Sequence, residues 1–322
     1  MNVKQFLKQN NNLRRLVKKV KIYKEYIADA NEFEKFYLEK ASKNNSFSYE
    51  IMLLVHSIEK GMCMQNPRPF GKEKVLRLKE ILVRSQGNNS TFEYKLAVSA
   101  LMAWTEFFKK NSWSNDEYLE IVEFLSNISN DDLITGNKIM KNPHITENTS
   151  FDDVIMSRHS VRDFEDKAIE KDDLDYAIKC FLEAPTACNR QMCKIYQVVD
   201  NKKRKVLLDT LLGISGFNKK TVQLFVITYD IAAFDFFGER NQGYLNAGLV
   251  AMNFVNGLHA RGIGSCFMQW ANKRKEDMLV RKTLEIPESE KIAIVIGAGY
   301  YKEESVIPCS CRKSNAQVFK VL

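Results

Sequence analysis

At 322 residues the chain exceeds the usual size of one compact core, so its length fits two domains or one elaborated domain. Its composition, 45% hydrophobic and 27% charged, is that of a globular protein. No apolar run approaches the roughly 18 residues a membrane helix needs, which excludes an integral helical membrane protein. The net charge of +8 has no nucleic-acid motif beside it, so nucleic acid is not an expected partner. Seven cysteines, an odd number without CxxC spacing, argue against both a disulfide framework and a metal site.

The first segment is basic: Lys4, Lys8, Arg14, Arg15, Lys18, Lys19, Lys21 and Lys24 all precede the first acidic residue, Glu25. Leu13, Leu16, Val17, Val20 and Tyr23 interleave with them near helical spacing. A docking helix with a solvated basic face is the expectation, and a helix in peripheral contact with a membrane surface is the alternative. The segment lacks the apolar core and cleavage site of a signal peptide, so a cytoplasmic location is expected.

Helical periodicity continues through ANEFEKFYLEKA, YEIMLLVHSIEKGM, KEKVLRLKEILVRS, FEYKLAVSALMAWTEFFKK and SNDEYLEIVEFLSNI. The turn-rich stretches QNPRPFG and SQGNNS punctuate this half. His56 and Glu59 lie three residues apart on one helix face, where a histidine–carboxylate pair ordering the helix end is expected. The polar stretch KNPHITENTS, 141–150, marks a boundary between an all-α N-terminal domain, 1–145, and a second domain, 146–322.

The second domain mixes helices with β-rich runs. FDDVIMSR and KDDLDYAIKCFLEA read as helices, the latter stopping at Pro185. IYQVVD, 195–200, and QLFVITYD, 223–230, read as strands from their β-branched and aromatic content. LNAGLVAMNFVNGLHARG is a long helix stopped by Gly262, and IAIVIGAGY is a buried strand. This order predicts an α+β layered domain rather than regular βαβ alternation.

Several common enzyme signatures are absent. Gly262–Gly264 follows a helix instead of a strand, and Gly297–Gly299 opens no helix, so no Rossmann fingerprint is present. A Walker A loop, HExxH and GxSxG are missing as well. What remains is a set of four blocks. SRHSVRDF gathers Arg158, His159 and Arg162 around Ser160, a grouping that is either a helix-end dipole complement or a phosphate cradle. EAPTACNRQ offers Asn189 and Gln191, each with a donor and an acceptor suited to the edge of a pyrimidine-like ring, or a self-satisfied turn. GIGSCFMQW is a glycine-containing entry to an apolar stretch, and PCSCRKS supplies Arg312.

In this order the blocks resemble the nitroreductase family of FMN-dependent oxidoreductases, over roughly residues 151 to 322. SRHSVRDF is similar to the family's R-x-S-x-R opening, and APTACNRQ to its P-S-x-x-N-x-Q loop. NAGLVAMNFVNGLHARGIGSCF resembles the central helix and the segment after it, and VIGAGY with Arg312 the closing strand and terminal arginine. The resemblance implies a central mixed or antiparallel sheet flanked by helices. It implies that Arg158, His159, Ser160 and Arg162 hold the FMN phosphate and ribityl chain, with Arg312 closing on the phosphate. It places Pro185, Thr186, Ala187, Asn189 and Gln191 against the isoalloxazine from the second subunit of a homodimer. The backbone at Met268, Gln269 and Trp270 would then lie near flavin N5, where a main-chain N–H stabilises developing negative charge.

No side chain is expected to be catalytic in itself, because the flavin carries the chemistry. The implied reaction takes hydride from NAD(P)H, NADH or NADPH, and passes electrons to a small nitroaromatic- or quinone-like acceptor in a ping-pong sequence. Alternatives are a flavin-dependent dehydrogenase of a biosynthetic, surface-polysaccharide intermediate, and a non-redox binding protein retaining the fold. Thr186 and Ala187 stand where serines are common, and Met192-Cys193 where Pro-Trp is frequent. Phe234, Phe236, Phe237 and Tyr244 lie where family members cover the substrate, as ring-stacking or as core aromatics.

Overall fold

The computed structural model describes residues 11–38, 47–85, 91–128, 135–146 and 148–322. Lys4, Lys8 and most of the expected SQGNNS loop lie outside these.

The N-terminal half begins with helix α1 (Asn11–Leu38) and continues with α2 (Ser48–Met62), α3 (Lys72–Arg84), α4 (Phe92–Lys110) and α5 (Asp116–Leu125). Each of α2 to α5 matches an apolar-periodic run of the sequence. Thr91 and Asn115 cap α4 and α5, accepting from the backbone N–H of Tyr94 and Tyr118. These four helices enclose one core, centred on the fully buried Trp104, Phe108, Leu101, Ile58 and Leu78. Burying side chains of this size contributes about 1.5–3 kcal/mol each. The Trp104 indole donates to the Phe70 carbonyl at 3.1 Å, which fixes the proline-rich loop after α2.

The second half contains β1 (Asn137–Lys141), α6 (Phe151–Ser157), α7 (Lys171–Leu182), β2 (Cys193–Gln197), α8 (Asn201–Thr210), β3 (Gln223–Asp230), α9 (Gln242–His259), β4 (Ile263–Met268), α10 (Arg274–Thr283), β5 (Glu290–Tyr300), β6 (Glu304–Pro308) and α11 (Asn315–Val318). Strands β2, β3, β5 and β4, in that spatial order, form an antiparallel sheet. Alternate residues of β3 point to opposite faces. Leu224 and Val226 join a core with Leu207 of α8 and Val280 of α10. Phe225, Ile227 and Tyr229 join another with α7 and α9. Helices therefore cover both faces, as an α+β layered domain requires.

Two differences from the sequence reading are physical. The strand expected at 195–200 spans 193–197 instead, and its last bond to β3 is from Val198 N–H to the Leu224 carbonyl, because Asp200 caps α8 by accepting from Lys202 and Lys203 N–H and so turns 199–200 away. GIGSCFM is a full edge strand, paired with β5 from Ile263 to Met268, although its glycine hid it. Gly264 is needed there because a Cβ would lie 2.8 Å from the Tyr301 ring.

Beyond the main sheet, β1 pairs with β6 to make a two-stranded ribbon that crosses the expected 145/146 boundary. The ribbon and its flanks connect the halves: Asn137 donates to the Met62 carbonyl at 2.8 Å, and Lys313 pairs with Glu93 at 2.7 Å. Helices α7 and α9 cross closely at Gly257, where a Cβ would meet the Ala177 Cα and the Cys180 side chain at 2.9 Å. Gly257→Ala is expected to cost about 1–3 kcal/mol through forced separation of these helices. Urea denaturation would read this, and a cost below about 0.5 kcal/mol would show that the crossing can relax.

Candidate functional site

The cradle segment is held by the fold around it. Ser150 caps α6, accepting from Asp153 N–H at 3.1 Å, and the helix ends at Arg158, whose backbone is extended. From there the chain runs beside β4. Ser160 bridges Ser265 in parallel, Val161 N–H donates to the Ser265 carbonyl at 3.0 Å, and Val161 and Phe164 are buried. This anchoring leaves Arg158, His159 and Arg162 half-buried rather than free in solvent.

More cations converge here than the sequence suggested. His159 is held below its usual pKa, first by burial and then by Lys138, Arg158 and Arg312. Lys138 comes from β1 and Arg312 from just beyond β6, so the ribbon delivers both to the cradle. On the other side, Lys60 and His56 of α2 lie close enough to Arg162 to feel its charge, and both are lowered first by burial. Lys60, Cys63, Gln65, Arg162, Asp163 and Gly216 line one small recess, in which Asp163 is already paired with Lys302. Cys63 is pushed up to about 12 by burial and remains a neutral thiol. Among the described residues, no carboxylate forms an ion pair with Arg158, Arg162, Arg312, Lys60 or Lys138, and the buried Arg162 Nε lacks any partner. Arg158, Arg162 and Lys60 are half-buried while Lys138 and Arg312 stay exposed, and holding the half-buried cations without ion-pair partners is costly unless an anion joins them. The donor set fits a phosphate-bearing cofactor such as FMN.

Beneath the cradle, His259 is fully buried, with its ring nitrogens 2.9 Å from Ser157 Oγ and 2.8 Å from Tyr301 Oη. Burial, with Arg158 and His159 nearby, pushes it down to about 4. It is a neutral strut that ties the end of α6 to β5's flank. The expected His56–Glu59 pair does not form among the described residues; Glu59 Oε1 instead accepts from Gly136 and Ser310 N–H at 3.3 and 3.4 Å.

The Pro185–Gln191 loop is largely self-satisfied. Thr186 Oγ1 accepts from Gln191 N–H at 3.0 Å, and Gln191 Nε2 donates to Asn189 Oδ1 at 3.2 Å. Cys188, Asn189 and Gln191 all have left-handed backbones, a conformation that non-glycine residues adopt at a cost. Arg190 clamps the loop to the next segment through Glu239 at 2.5 and 2.8 Å and the Ala233 carbonyl at 2.9 Å.

Loop and cradle do not meet within one chain. Cys193, after the loop, pairs with Tyr229, whereas Ser265, beside the cradle, pairs with Ala298 and through it with Gln223. The six-residue offset along β3 is roughly 20 Å, and the three strand spacings across the sheet add roughly 14 Å. Met268, Gln269 and Trp270, by contrast, continue from Ser265 along β4 on the cradle's side. Met268 is buried, Gln269 exposed, and the Trp270 indole donates to Asp277 at 2.9 Å.

Phe234, Phe236, Phe237 and Tyr244 line a cavity of about 750 Å³ on the loop's side, closed on one flank by Lys18, Lys21, Ile22 and Tyr26 of α1. Tyr229 stacks on Phe234 and meets Tyr244 edge-on. The four aromatics therefore act as one wall rather than as scattered core residues.

By architecture the second half is an α+β domain with a four-stranded antiparallel sheet, a buried central helix and its cations collected at one sheet end. Residues 155–237 and 238–300, the core of the second half, match the Nitroreductase family, a family of oxidoreductases. No curated protein matches the sequence. Among solved structures it is similar to an FMN-dependent nitroreductase from Clostridium difficile, at 25% identity, covering 47% of this chain and 88% of that one with a TM-score of 0.42. A nitroreductase family protein from Clostridium novyi shares 21% identity over 48% of this chain and 87% of that one, TM-score 0.43. An NADPH:FMN oxidoreductase from Vibrio harveyi shares 20% over 46% and 66%, TM-score 0.41. No described helix is long and apolar enough to cross a membrane.

Proposed function

We propose that the protein is an FMN-dependent oxidoreductase, taking hydride from NAD(P)H and delivering electrons to a small ring-shaped acceptor in a ping-pong sequence. The observation that carries this reading is the cation cluster of Arg158, Arg162, Arg312, Lys138 and Lys60, none of which forms an ion pair with a carboxylate among the described residues, with the buried Arg162 Nε left unpartnered.

Bound FMN supplies reversible hydride chemistry. Arg158, Ser160 and Arg312 hold its phosphate, and Arg162 reaches toward the rest of the molecule. The exposed Gln269 and the Trp270 backbone sit just past the end of β4, where a main-chain N–H can meet charge that builds on the ring. Two protomers complete the site, because the Pro185–Gln191 loop lies at the far corner of its own sheet. The face that serves this pairing is on α9, where Leu245, Leu249 and Met252 are exposed at helical spacing and the Gly248 position meets nothing. The aromatic wall of Phe234, Phe236, Phe237 and Tyr244 supports a planar acceptor.

The test is purification followed by anaerobic titration. The protein should be yellow, or bind FMN on addition, and NADH or NADPH should bleach the flavin absorbance. Absence of flavin on purification together with no uptake on titration would overturn the reading. Flavin that neither nucleotide bleaches would remove the NAD(P)H step.

A further inference from the structure

Helix α1 docks on the second half of the chain through one face. Arg240 makes a bidentate pair with Asp29 at 2.6 Å, and Glu25 lies 3.8 Å from the same guanidinium. Lys18, Lys21, Ile22 and Tyr26 turn toward the aromatic cavity on that same side. The opposite face carries an apolar stripe. Leu16, Val20, Tyr23 and Ile27 follow the 3–4 alternation of a coiled-coil seam, and they are 56%, 59%, 57% and 58% exposed. Ala30 continues the stripe and is exposed too. In heptad terms Val20 and Ile27 are a positions, Leu16, Tyr23 and Ala30 are d positions, and the docked residues fall at b, c, f and g. The polar side of the helix is used inside the protomer, and the seam is left outside.

We infer that this seam is covered by α1 of a second copy of the chain, running antiparallel. Charge decides both the occupant and the direction. Between residues 11 and 24 the helix carries Arg14, Arg15, Lys18, Lys19, Lys21 and Lys24 and no acid; from 25 to 38 Arg240 already holds Glu25 and Asp29, which leaves Glu32 and Glu34 against Lys35. A parallel pair sets the basic halves side by side and places Glu34, the next a position, against its own copy. An antiparallel pair instead sets Glu34 against the basic half of the other copy and opposes the helix dipoles. Its register follows from packing a against d. Val20 lies opposite Ala30 of the partner subunit, Ile27 opposite the partner subunit's Tyr23, and Glu34 opposite the partner subunit's Leu16, in the turn that holds Arg15 and Lys19. An anionic lipid surface fits less well, because the stripe itself continues into Glu34. This pairing is independent of the flavin reading.

Disulfide trapping in the full-length protein tests it. The variant V20C/A30C, under mild oxidation, should give a covalent dimer whose linked peptides, read by mass spectrometry, join residue 20 of one copy to residue 30 of the other. V20C alone and A30C alone should give none, since ten residues of helix separate each position from itself by about 15 Å in this register. Singles that link as readily as the pair would show a parallel arrangement, and links to the flavin domain would show that another surface covers the seam. Either result overturns the inference, as does no link at all. V20E/I27E changes only exposed side chains, so it should keep the wild-type circular dichroism. If the wild type sediments with phosphatidylcholine vesicles containing about 30% phosphatidylserine and V20E/I27E does not, the seam belongs to a lipid surface and the inference also fails. Flavin content, measured on each variant, keeps this outcome separate from the function of the domain.

Discussion

Replacing Arg158 and Arg162 together by alanine should weaken FMN binding by about 100-fold or more, while the flavin-free protein becomes no less stable. Each guanidinium offers a charge-assisted bond worth about 1.5–3 kcal/mol, and losing two costs at least about 3 kcal/mol, which is about 150-fold in Kd. The second half of the expectation is the sharper one. Without its anion the cluster is self-repelling: Arg158, Lys138 and Arg312 act together on His159, and Arg162 acts on His56, Lys60 and Cys63. Deleting two of these charges relieves repulsion, so the midpoint of thermal unfolding of the flavin-free variant should hold or rise. Lys302→Ala is the control. It removes a cation of the same neighbourhood that already has a partner, Asp163, at 2.5 Å, and FMN affinity should change little. Fluorescence quenching of free FMN reads the affinity. Unchanged affinity in the double variant sinks the cradle assignment, and a large loss of flavin-free stability would show instead that the arginines hold the fold.

The helices and their faces were legible because burial follows local period. Trp104, Leu101 and Phe108 announce a buried helix face wherever they are read. Strand β4 was harder, since glycine and serine break the β-rich pattern and only the Tyr301 ring explains why Gly264 has to be small. The ribbon of β1 and β6 was not legible at all. Its strands are five residues each and lie more than 160 residues apart, and Lys138 shows no sign in NKIMK that it will reach a distant histidine. The same holds for Lys60. Four blocks of the candidate site stood out by residue type, but the cations that complete the cluster were hidden because long-range pairing alone brings them there. That the loop and the cradle occupy opposite corners of one sheet follows from strand register, which a single sequence does not specify.

Glu59 joins the two halves, and its variants should separate charge from hydrogen bonding. The carboxylate is 2% exposed and accepts backbone N–H groups from both Gly136, before β1, and Ser310, two residues before Arg312. Glu59→Ala leaves the buried Gly136 donor and the half-buried Ser310 donor unsatisfied, at about 1–3 kcal/mol each, so a loss of about 3 kcal/mol is expected. Because Ser310 then loses its anchor, Arg312 loses its placement, and FMN affinity should fall by about tenfold with it. Glu59→Gln keeps an acceptor oxygen at the same position and should restore both properties to within about 1 kcal/mol.

The pH dependence distinguishes these cases. Burial raises the Glu59 pKa above its ordinary value, while the two backbone N–H groups and Arg312 oppose that rise without cancelling it. The folded chain therefore binds the Glu59 proton more tightly than the unfolded chain does. The group's favourable contribution is full below its unfolded pKa and is lost as pH rises through the raised folded value. Glutamine does not titrate. Measured by denaturant midpoint, the stability of Glu59→Gln relative to wild type should accordingly increase as pH rises through the carboxyl range, and level off above it. A glutamine variant as damaged as the alanine one would mean that the charge itself, acting on Arg312, holds the halves together. A wild type whose advantage over Glu59→Gln grew with pH would reverse the sign of the burial effect.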